Sequence, residues 1–205
     1  MRGLVGKKIG MTRIYDIDGN VVPVTILQAG PCTVTQLKTQ DNDGYDAIQV
    51  GYGERKQKHL SKPLKGHFDK AGVEPKRILA EFEKVPGFDY QAGQSFHVGI
   101  FNEGDYVSVS GLSKGKGFTG VIKRHNFARQ KKTHGTGHTE RAPGSIGQAS
   151  DPSRVFPGMR MAGQHGNAKV TIENLEIMKI DKENNQLLIK GAVPGAKNST
   201  LFIRK

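Results

Sequence analysis

The stretch LVGKKIGMTRIYDIDGNVVPVTIL, residues 4–27, carries the clearest structural signal in the chain. Aliphatic and β-branched residues are dense in 4–15 and again in 21–27. The two runs meet at Asp18-Gly19, a dipeptide that favours the tight turn of a β-hairpin. The pattern therefore predicts that the chain opens with two antiparallel strands.

Short runs of the same kind continue beyond this hairpin. Further strands are predicted at 33–37, 47–50, 95–101, 106–109, 170–180, 186–192 and 200–203. Turn-forming clusters at 41–44 (DNDG) and 182–185 (KENN) separate two pairs of them. Closely spaced short strands favour a mainly β fold with a closed antiparallel barrel, here assigned to 1–60 and 94–205.

Residues 61–93 depart from this pattern and predict a small helical insertion. After Pro75, apolar residues fall at helical spacing, and Pro86-Gly87 would end the helix: Ile78, Leu79, Phe82 and Val85. A shorter helical segment is predicted before Gly72 from Leu64, Phe68 and Ala71.

The composition limits the class of protein. The chain has 205 residues with 31 Lys and Arg against 19 Asp and Glu, a formal net charge of +12. Its single cysteine excludes an internal disulfide or a multi-cysteine metal site. The first thirty residues lack the apolar run of a secretory signal, and no stretch has the length of a membrane helix. We expect a cytoplasmic protein, with no membrane association, that binds a polyanion.

The positive charge is concentrated in residues 113–169. This segment holds eleven Lys and Arg, two acidic residues and ten glycines, giving +9 over 57 residues. Only 14 of the 57 are apolar, too few for the segment to bury a core that offsets its ordering entropy. A solvated disordered segment is one interpretation. Because long internal loops are usually functional, an extended basic loop that orders on a polyanion is the better one.

Two patterns within this segment suggest other functions. Gly115–Gly120 has the GxGxxG spacing of a dinucleotide site, with Glu140 twenty residues further on, but no βαβ alternation surrounds it. His134 and His138 are four apart, yet the glycines between them disfavour the helix that would align them on a metal. We predict no catalysis, no cofactor and no metal. A nucleotide-dependent enzyme and a DNA-binding architectural protein remain as alternatives.

Glycine and basic residues together suit a phosphate backbone. Glycine allows close approach of backbone amides, while Lys and Arg supply charge and Phe supplies stacking surfaces. The candidate binding residues are Lys7, Lys8, Arg13, Lys114, Lys116, Lys123, Arg124, Arg129, Lys131, Lys132, His134, Arg141, Arg154, Arg160 and Lys169.

Motifs along the whole chain resemble a known family. They are, in order, 3–13 (GLVGKKIGMTR), 42–45 (NDGY), 66–68 (GHF), 70–72 (KAG), 113–118 (SKGKGF), 123–124 (KR), 126–127 (NF), 133–135 (THG), 143–148 (PGSIGQ), 161–164 (MAGQ) and 190–196 (KGAVPGA). In this combination the chain is similar to the bacterial form of the universal large-subunit ribosomal protein number three.

The resemblance implies both a fold and a function. The fold is a translation-protein-type β-barrel with a small α-containing insertion and a long loop. The function is that of a structural constituent of the 50S subunit that binds 23S rRNA, acts early in assembly and extends its loop toward the peptidyl-transferase centre. Ribosomal proteins numbers fourteen and nineteen are the implied neighbours. The resemblance also implies that Gln148 is a candidate N5-methylglutamine, the product of a glutamine methyltransferase.

Overall fold

A computed structural model describes all 205 residues. Its strands, in chain order, are β1 (Gly3–Tyr15), β2 (Val21–Ala29), β3 (Cys32–Lys38), β4 (Ala47–Glu54), β5 (Lys76–Phe82), β6 (Ser95–Phe96), β7 (Tyr106–Leu112), β8 (Phe118–Thr119), β9 (Gly163–Gln164), β10 (Lys169–Asp181), β11 (Gln186–Lys190) and β12 (Thr200–Arg204). Its helices are α1 (Gln40–Asp43), α2 (Lys62–Ala71) and α3 (Val121–His125), with 3₁₀ turns at Gln57–His59, Val98–Ile100 and Gly137–Thr139. None of the helices has the length and apolar character needed to span a membrane.

The predicted closed antiparallel barrel is confirmed. Six strands form it in the order β1-β12-β7-β10-β11-β2, and β2 pairs again with β1 to close the ring. The hairpin predicted at residues 4–27 is its first two strands, and Gly19 takes the left-handed conformation in the turn, with φ +79°. Alternate side chains point inward and are fully buried, among them Leu4, Leu27, Val109, Ile177, Leu187, Ile189, Leu201 and Ile203.

A second sheet, with strand order β5-β4-β3-β6, shares this core. The strands predicted at 33–37 and 47–50 therefore form, but they belong to this sheet and not to the barrel. Val34, Ile48, Val50 and Phe82 pack in the same apolar cluster as the barrel interior. The strand predicted at 95–101 is reduced to the two residues of β6, followed by a 3₁₀ turn.

The helix predicted between Pro75 and Pro86 is wrong. This segment forms β5, which pairs along β4 from Lys76 to Phe82. Ile78, Leu79 and Phe82 fit a helical face, whereas Ile78, Ala80 and Phe82 alternate as in a strand. Pairing with β4 satisfies the backbone groups of the strand and buries Phe82. Tertiary pairing thus decided between two periodicities that the sequence allows.

The shorter helix predicted before Gly72 is confirmed as α2. Pro63 lies in its first turn, and Gly72 ends it in the left-handed conformation, with φ +65°. Phe68 is buried on its inner side. The His67 Nε2 lies 2.7 Å from Gln49 Oε1 on β4.

The basic segment is inserted between two paired strands. Leu112 at the end of β7 is the register partner of Lys169 at the start of β10. The chain forms two compact units, one of Met1–Leu112 with Lys169–Lys205 and the other of Ser113–Ala168. We call the second unit the extension.

Candidate nucleic-acid interface

The base of the extension is an antiparallel ladder. Ser113 N–H donates to the Ala168 carbonyl at 2.9 Å, and Lys116 N–H donates to the His165 carbonyl at 2.8 Å. β8 and β9 continue this pairing. Gly166 is required here, because a Cβ at this residue would lie 2.1 Å from the Lys114 carbonyl oxygen and its φ is +71°.

This ladder also decides against the nucleotide-site alternative. β8 lies inside the GxGxxG pattern and pairs antiparallel with β9, whereas a dinucleotide site needs a parallel strand–turn–helix unit. The following helix, α3, has only five residues. The glycines of Gly115–Gly120 therefore belong to the antiparallel base.

Arg124 holds α3 to the returning chain. Its Nη1 donates to the Met161 carbonyl at 2.7 Å, and His125 Nε2 lies 3.1 Å from the same oxygen. Gly163 makes room for this contact, because a Cβ there would lie 2.7 Å from Arg124 Nη1. Arg124 was predicted to contact RNA, and the structure gives its guanidinium this internal partner.

A groove of about 450 Å³ beside α3 gathers four of the predicted cations, Lys116, Lys123, Arg129 and Arg141. The Phe118 ring also lines it and is 78% exposed. Thr119 lies on its wall, and the buried Thr119 hydroxyl has no hydrogen-bond partner within the protein. The groove thus combines positive charge and a flat apolar ring, the elements that bind a phosphate and stack on a base.

The pKa of His165 is lowered. Desolvation is the largest cause, followed by the positive charges of Lys116, Lys123 and Arg124. Its Nδ1 is buried without a protein partner. An anion at this base would offset the repulsion that now disfavours the protonated imidazole.

Beyond the groove, residues 129–160 have no strand and only one 3₁₀ turn. Arg129 forms an ion pair with Glu140, and the Arg154 guanidinium lies 5.4 Å from the centroid of the Phe156 ring. Apolar side chains are exposed here without packing partners of a core, namely Ile146, Val155, Phe156 and Met159. Gln148 is exposed as well.

The predicted binding residues differ in their exposure to solvent. Those with exposed side chains are Arg13, Lys114, Lys116, Lys123, Arg129, Lys131, Lys132, His134, Arg141, Arg154, Arg160 and Lys169. Lys7, Lys8 and Arg124 are half-buried. The Lys8 ammonium donates to the carbonyls of Val193 at 2.9 Å and Gly195 at 3.4 Å, which ties the barrel strand to a neighbouring loop.

The sequence alone did not indicate two residues of the site. Thr119 is one of several hydroxyl residues, and only the structure shows it buried in the groove wall with an unpaired hydroxyl. Gly163 is one of ten glycines in a glycine-rich segment, and its role depends on a side chain 39 positions earlier in the chain.

The fold and this site together define a class, a β-barrel protein carrying a basic, glycine-rich extension suited to a polyanion. Comparisons with known proteins narrow the class. Residues 89–187 match the family described as ribosomal protein L3.

Three relatives are each named "Large ribosomal subunit protein uL3". The chain is 54% identical to the protein of Chlorobium limicola over 204 residues, covering 99% of this chain and 98% of the relative. It is 52% identical to that of Neisseria meningitidis serogroup C, covering 98% and 95%, and 48% identical to that of Acidothermus cellulolyticus, covering 100% and 92%. The chain therefore belongs to the ribosomal protein L3 family.

Proposed function

We propose that this chain is a structural constituent of the large subunit of the cytoplasmic ribosome and that it binds 23S rRNA directly, without catalytic activity of its own. Membership of the ribosomal protein L3 family supports the placement in the subunit. The observation that carries direct RNA binding is the groove at the base of the extension. Lys116, Lys123, Arg129 and Arg141 line it together with the exposed Phe118, and Lys116, Lys123 and Arg141 form no ion pair within the protein, whereas Arg129 pairs with Glu140.

The extension supplies most of the RNA contacts in this proposal. RNA phosphates would neutralise Lys114, Lys131, Lys132, Arg141 and Arg160, none of which forms an ion pair within the protein, and the exposed His134 ring would add a hydrogen bond. Arg154 and Phe156 would present a joined cationic and aromatic surface to a base or phosphate. Lys7, Arg13 and Lys169 add contacts from the barrel strands, while Lys8 and Arg124 mainly position their neighbours.

The same proposal includes an early role in subunit assembly, an extension that reaches toward the peptidyl-transferase centre, and ribosomal proteins fourteen and nineteen as neighbours. These follow from the family resemblance. The apolar core lies within the chain itself, which suits a protein that joins the RNA early in assembly.

Crosslinking in living cells, followed by sequencing of the attached RNA, tests direct binding. We expect reads concentrated on 23S rRNA, and a matched sample in which Lys116, Lys123, Arg129 and Arg141 are all changed to Gln should lose most of them. Reads spread over messenger RNA, or selective binding of duplex DNA by the purified protein at physiological salt, would contradict the proposal and favour the DNA-binding alternative.

Gln148 is the proposed methylation site. Its side chain is exposed in a segment without regular structure, between residues that make only local hydrogen bonds such as Ser145 Oγ to the Gly147 carbonyl at 3.0 Å. A glutamine methyltransferase could therefore reach it before the extension docks on RNA. Mass spectrometry of the peptide spanning Gln148, from ribosomes of the native host, should show a 14 Da addition; a fully unmodified peptide would contradict the assignment for this organism.

A further inference from the structure

A second concentration of positive charge lies outside the extension and outside the binding residues predicted from the sequence. Residues 55–77 hold eight Lys and Arg and only two acidic residues, a net +6 over 23 residues. With this segment and residues 113–169 set aside, the remaining 125 residues carry 12 basic and 15 acidic groups, a net −3. The net positive charge of the protein therefore resides in these two segments.

The cations of this second segment face solvent. Three occupy α2, where Lys62, Lys65 and Lys70 are all exposed. At 100° per residue, Lys62 and Lys70 lie about 120° and 160° around the helix from the buried Phe68 and Lys65 lies about 60° from it, so the three share one solvent-facing arc of about 140°, which we call the exposed half. Asp69 is the one acidic residue on this half. Lys62 and Lys70 are separated by about 12 Å along the helix axis, so the three ammonium groups can contact successive phosphates.

The turn before α2 and the strand after it add to the same surface. Arg55, Lys56 and Lys58 are exposed, and Arg55 Nη2 donates to the His59 carbonyl at 2.9 Å, which fixes the 3₁₀ turn. Arg77 is exposed on β5, the edge strand of the second sheet. None of these cations forms a salt bridge, so their charge is not neutralised within the protein.

Gly66 is an independent indication of a close partner. It lies in the middle of α2, on the exposed half between Lys62, Lys65 and Lys70, where glycine weakens a helix relative to alanine. Nothing in the protein requires it, because a Cβ at this residue would meet no atom within 4 Å and its backbone is helical. A bare helix surface amid three lysines suits a partner that approaches the backbone closely.

The chemistry of the surface favours a phosphate backbone over a protein. No large hydrophobic side chain is exposed between residues 55 and 77, whereas the extension exposes Phe118, Phe156 and Met159. Protein interfaces are usually centred on buried aromatic or aliphatic anchors, and stacking on bases needs a flat ring. A surface with charge, glycine and no such anchor would hold the backbone of structured RNA without reading its bases.

We propose that residues 55–77 form a second RNA-binding surface, centred on the exposed half of α2, which grips the phosphate backbone of ribosomal RNA independently of the extension. The proposal rests on the proposed function only in taking rRNA as the partner.

The test uses the full-length chain and deproteinised 23S rRNA. The variant Lys62→Gln/Lys65→Gln/Lys70→Gln removes the three helix charges with little change in helix propensity. The control Lys179→Gln/Lys182→Gln/Lys197→Gln makes the same change of charge at three exposed lysines outside both basic segments. The slope of log K against log salt should become shallower by about two units in the helix variant and stay near the wild-type slope in the control.

The outcomes separate the two proposals. A wild-type protein that does not bind this RNA would defeat the proposed function itself. Wild-type binding with equal slopes in the two triple variants would overturn only the second surface. Thermal unfolding of both variants confirms that neither has lost the fold.

Gly66→Gln tests the close approach separately from the charge. A bulky neutral side chain should weaken RNA binding about tenfold and leave the salt slope unchanged, while raising the midpoint of thermal unfolding slightly because the helix gains propensity. An affinity equal to that of wild type would show that nothing approaches the helix surface here and would contradict the proposal.

Lysine acetylation in purified large subunits identifies the partner. We expect Lys62, Lys65 and Lys70 to be protected in intact subunits and to become reactive after RNase digestion. Protection that survives RNase would assign the surface to a protein, and full reactivity in the intact subunit would leave it without a partner; either result overturns the proposal.

Discussion

The barrel unit and the extension differ in what they bury. Every buried apolar side chain of the protein lies in the barrel unit except Val121, which is in α3 of the extension. Instead of an apolar core, the extension has a hydrogen-bonded ladder at its base, the Arg124–Met161 contact and a surplus of positive charge. Hydrophobic burial dominates folding, so we expect the barrel unit to fold alone and the extension to become fully ordered only on a polyanion.

Hydrogen exchange in the free protein should show the largest contrast. Amides of the barrel core strands should exchange only through global unfolding, about 5 kcal/mol or more above the native state, while most amides of residues 129–160 should exchange almost without protection. Added 23S rRNA should protect the extension. Strong protection across 129–160 without RNA would show that the extension is as ordered as the barrel unit and would contradict this prediction.

Removal of the extension should weaken the salt dependence of RNA binding while leaving the barrel folded. Because Leu112 and Lys169 are paired, an Asn-Gly turn can replace Ser113–Ala168 and close a hairpin. Ten cations leave with the extension, so the salt dependence of RNA binding should become shallower by several units, since each phosphate contact contributes about 0.7–0.9.

The barrel should keep or raise its thermal midpoint in this variant, because no part of its apolar core is removed and a two-residue turn costs less entropy to close than the 56-residue loop. A salt titration of RNA binding and a thermal scan on the same preparation check both expectations. An unchanged slope would mean that the charges of the extension are spectators, and a collapsed midpoint would mean that the barrel is not autonomous.

Gly163→Ala should disturb the extension and spare the barrel. The new Cβ would lie 2.7 Å from Arg124 Nη1, so the guanidinium must shift and its hydrogen bond to the Met161 carbonyl should weaken. Amide exchange in α3 should accelerate about threefold, the equivalent of about 0.6 kcal/mol. Gly115→Ala is the matched control, since its Cβ would meet Asn167 at an ordinary 3.5 Å. Equal exchange in α3 for the two variants would remove Arg124 from the structural role assigned to it.

The smallest effect concerns His165. Because its pKa is lowered in the folded protein, the unfolded chain binds the proton more readily, and the stability of the extension base should fall as pH drops below the ordinary histidine range. Lys116→Gln/Lys123→Gln should raise the pKa measured by NMR titration. Lys131→Gln/Lys132→Gln should leave the pKa of His165 unchanged, because those two lysines do not contribute to its lowering. A titration that is the same in both variants would contradict the electrostatic account.

The sequence predicted the barrel well because its strands and turns have local signals, which can be recognised without knowing the tertiary structure. Asp18-Gly19 and 182–185 are turns whose residue types carry their own conformational preference, and the strands beside them alternate apolar residues. The helix prediction for residues 76–82 failed because their apolar positions fit both a helix and a strand. Only pairing with the neighbouring strand β4 selects the strand.

The candidate site was predictable in composition and not in detail. Clustering of Lys, Arg and Gly identified the extension, since counting charges needs no structure. The contact of Arg124 with Met161, the unpaired hydroxyl of Thr119 and the paired state of Arg129 depend on distances across the chain that periodicity does not encode. The charge of residues 55–77 was visible too, but its meaning depends on knowing that α2 turns its lysines outward.

The pairing of Leu112 with Lys169 has a consequence for how the protein folds. To bring these residues together, the chain must close a loop of the 56 residues Ser113–Ala168 before the barrel ring is complete. Chain-entropy scaling puts this closure at about 3 kcal/mol more than a two-residue turn would cost. The chain must lose much of this entropy before the stabilising contacts of the last strands form. We therefore expect β7–β10 pairing to be the slow step of refolding. Any partner that gathers the two arms of the extension while the chain is still unfolded would act on the barrel as a folding catalyst.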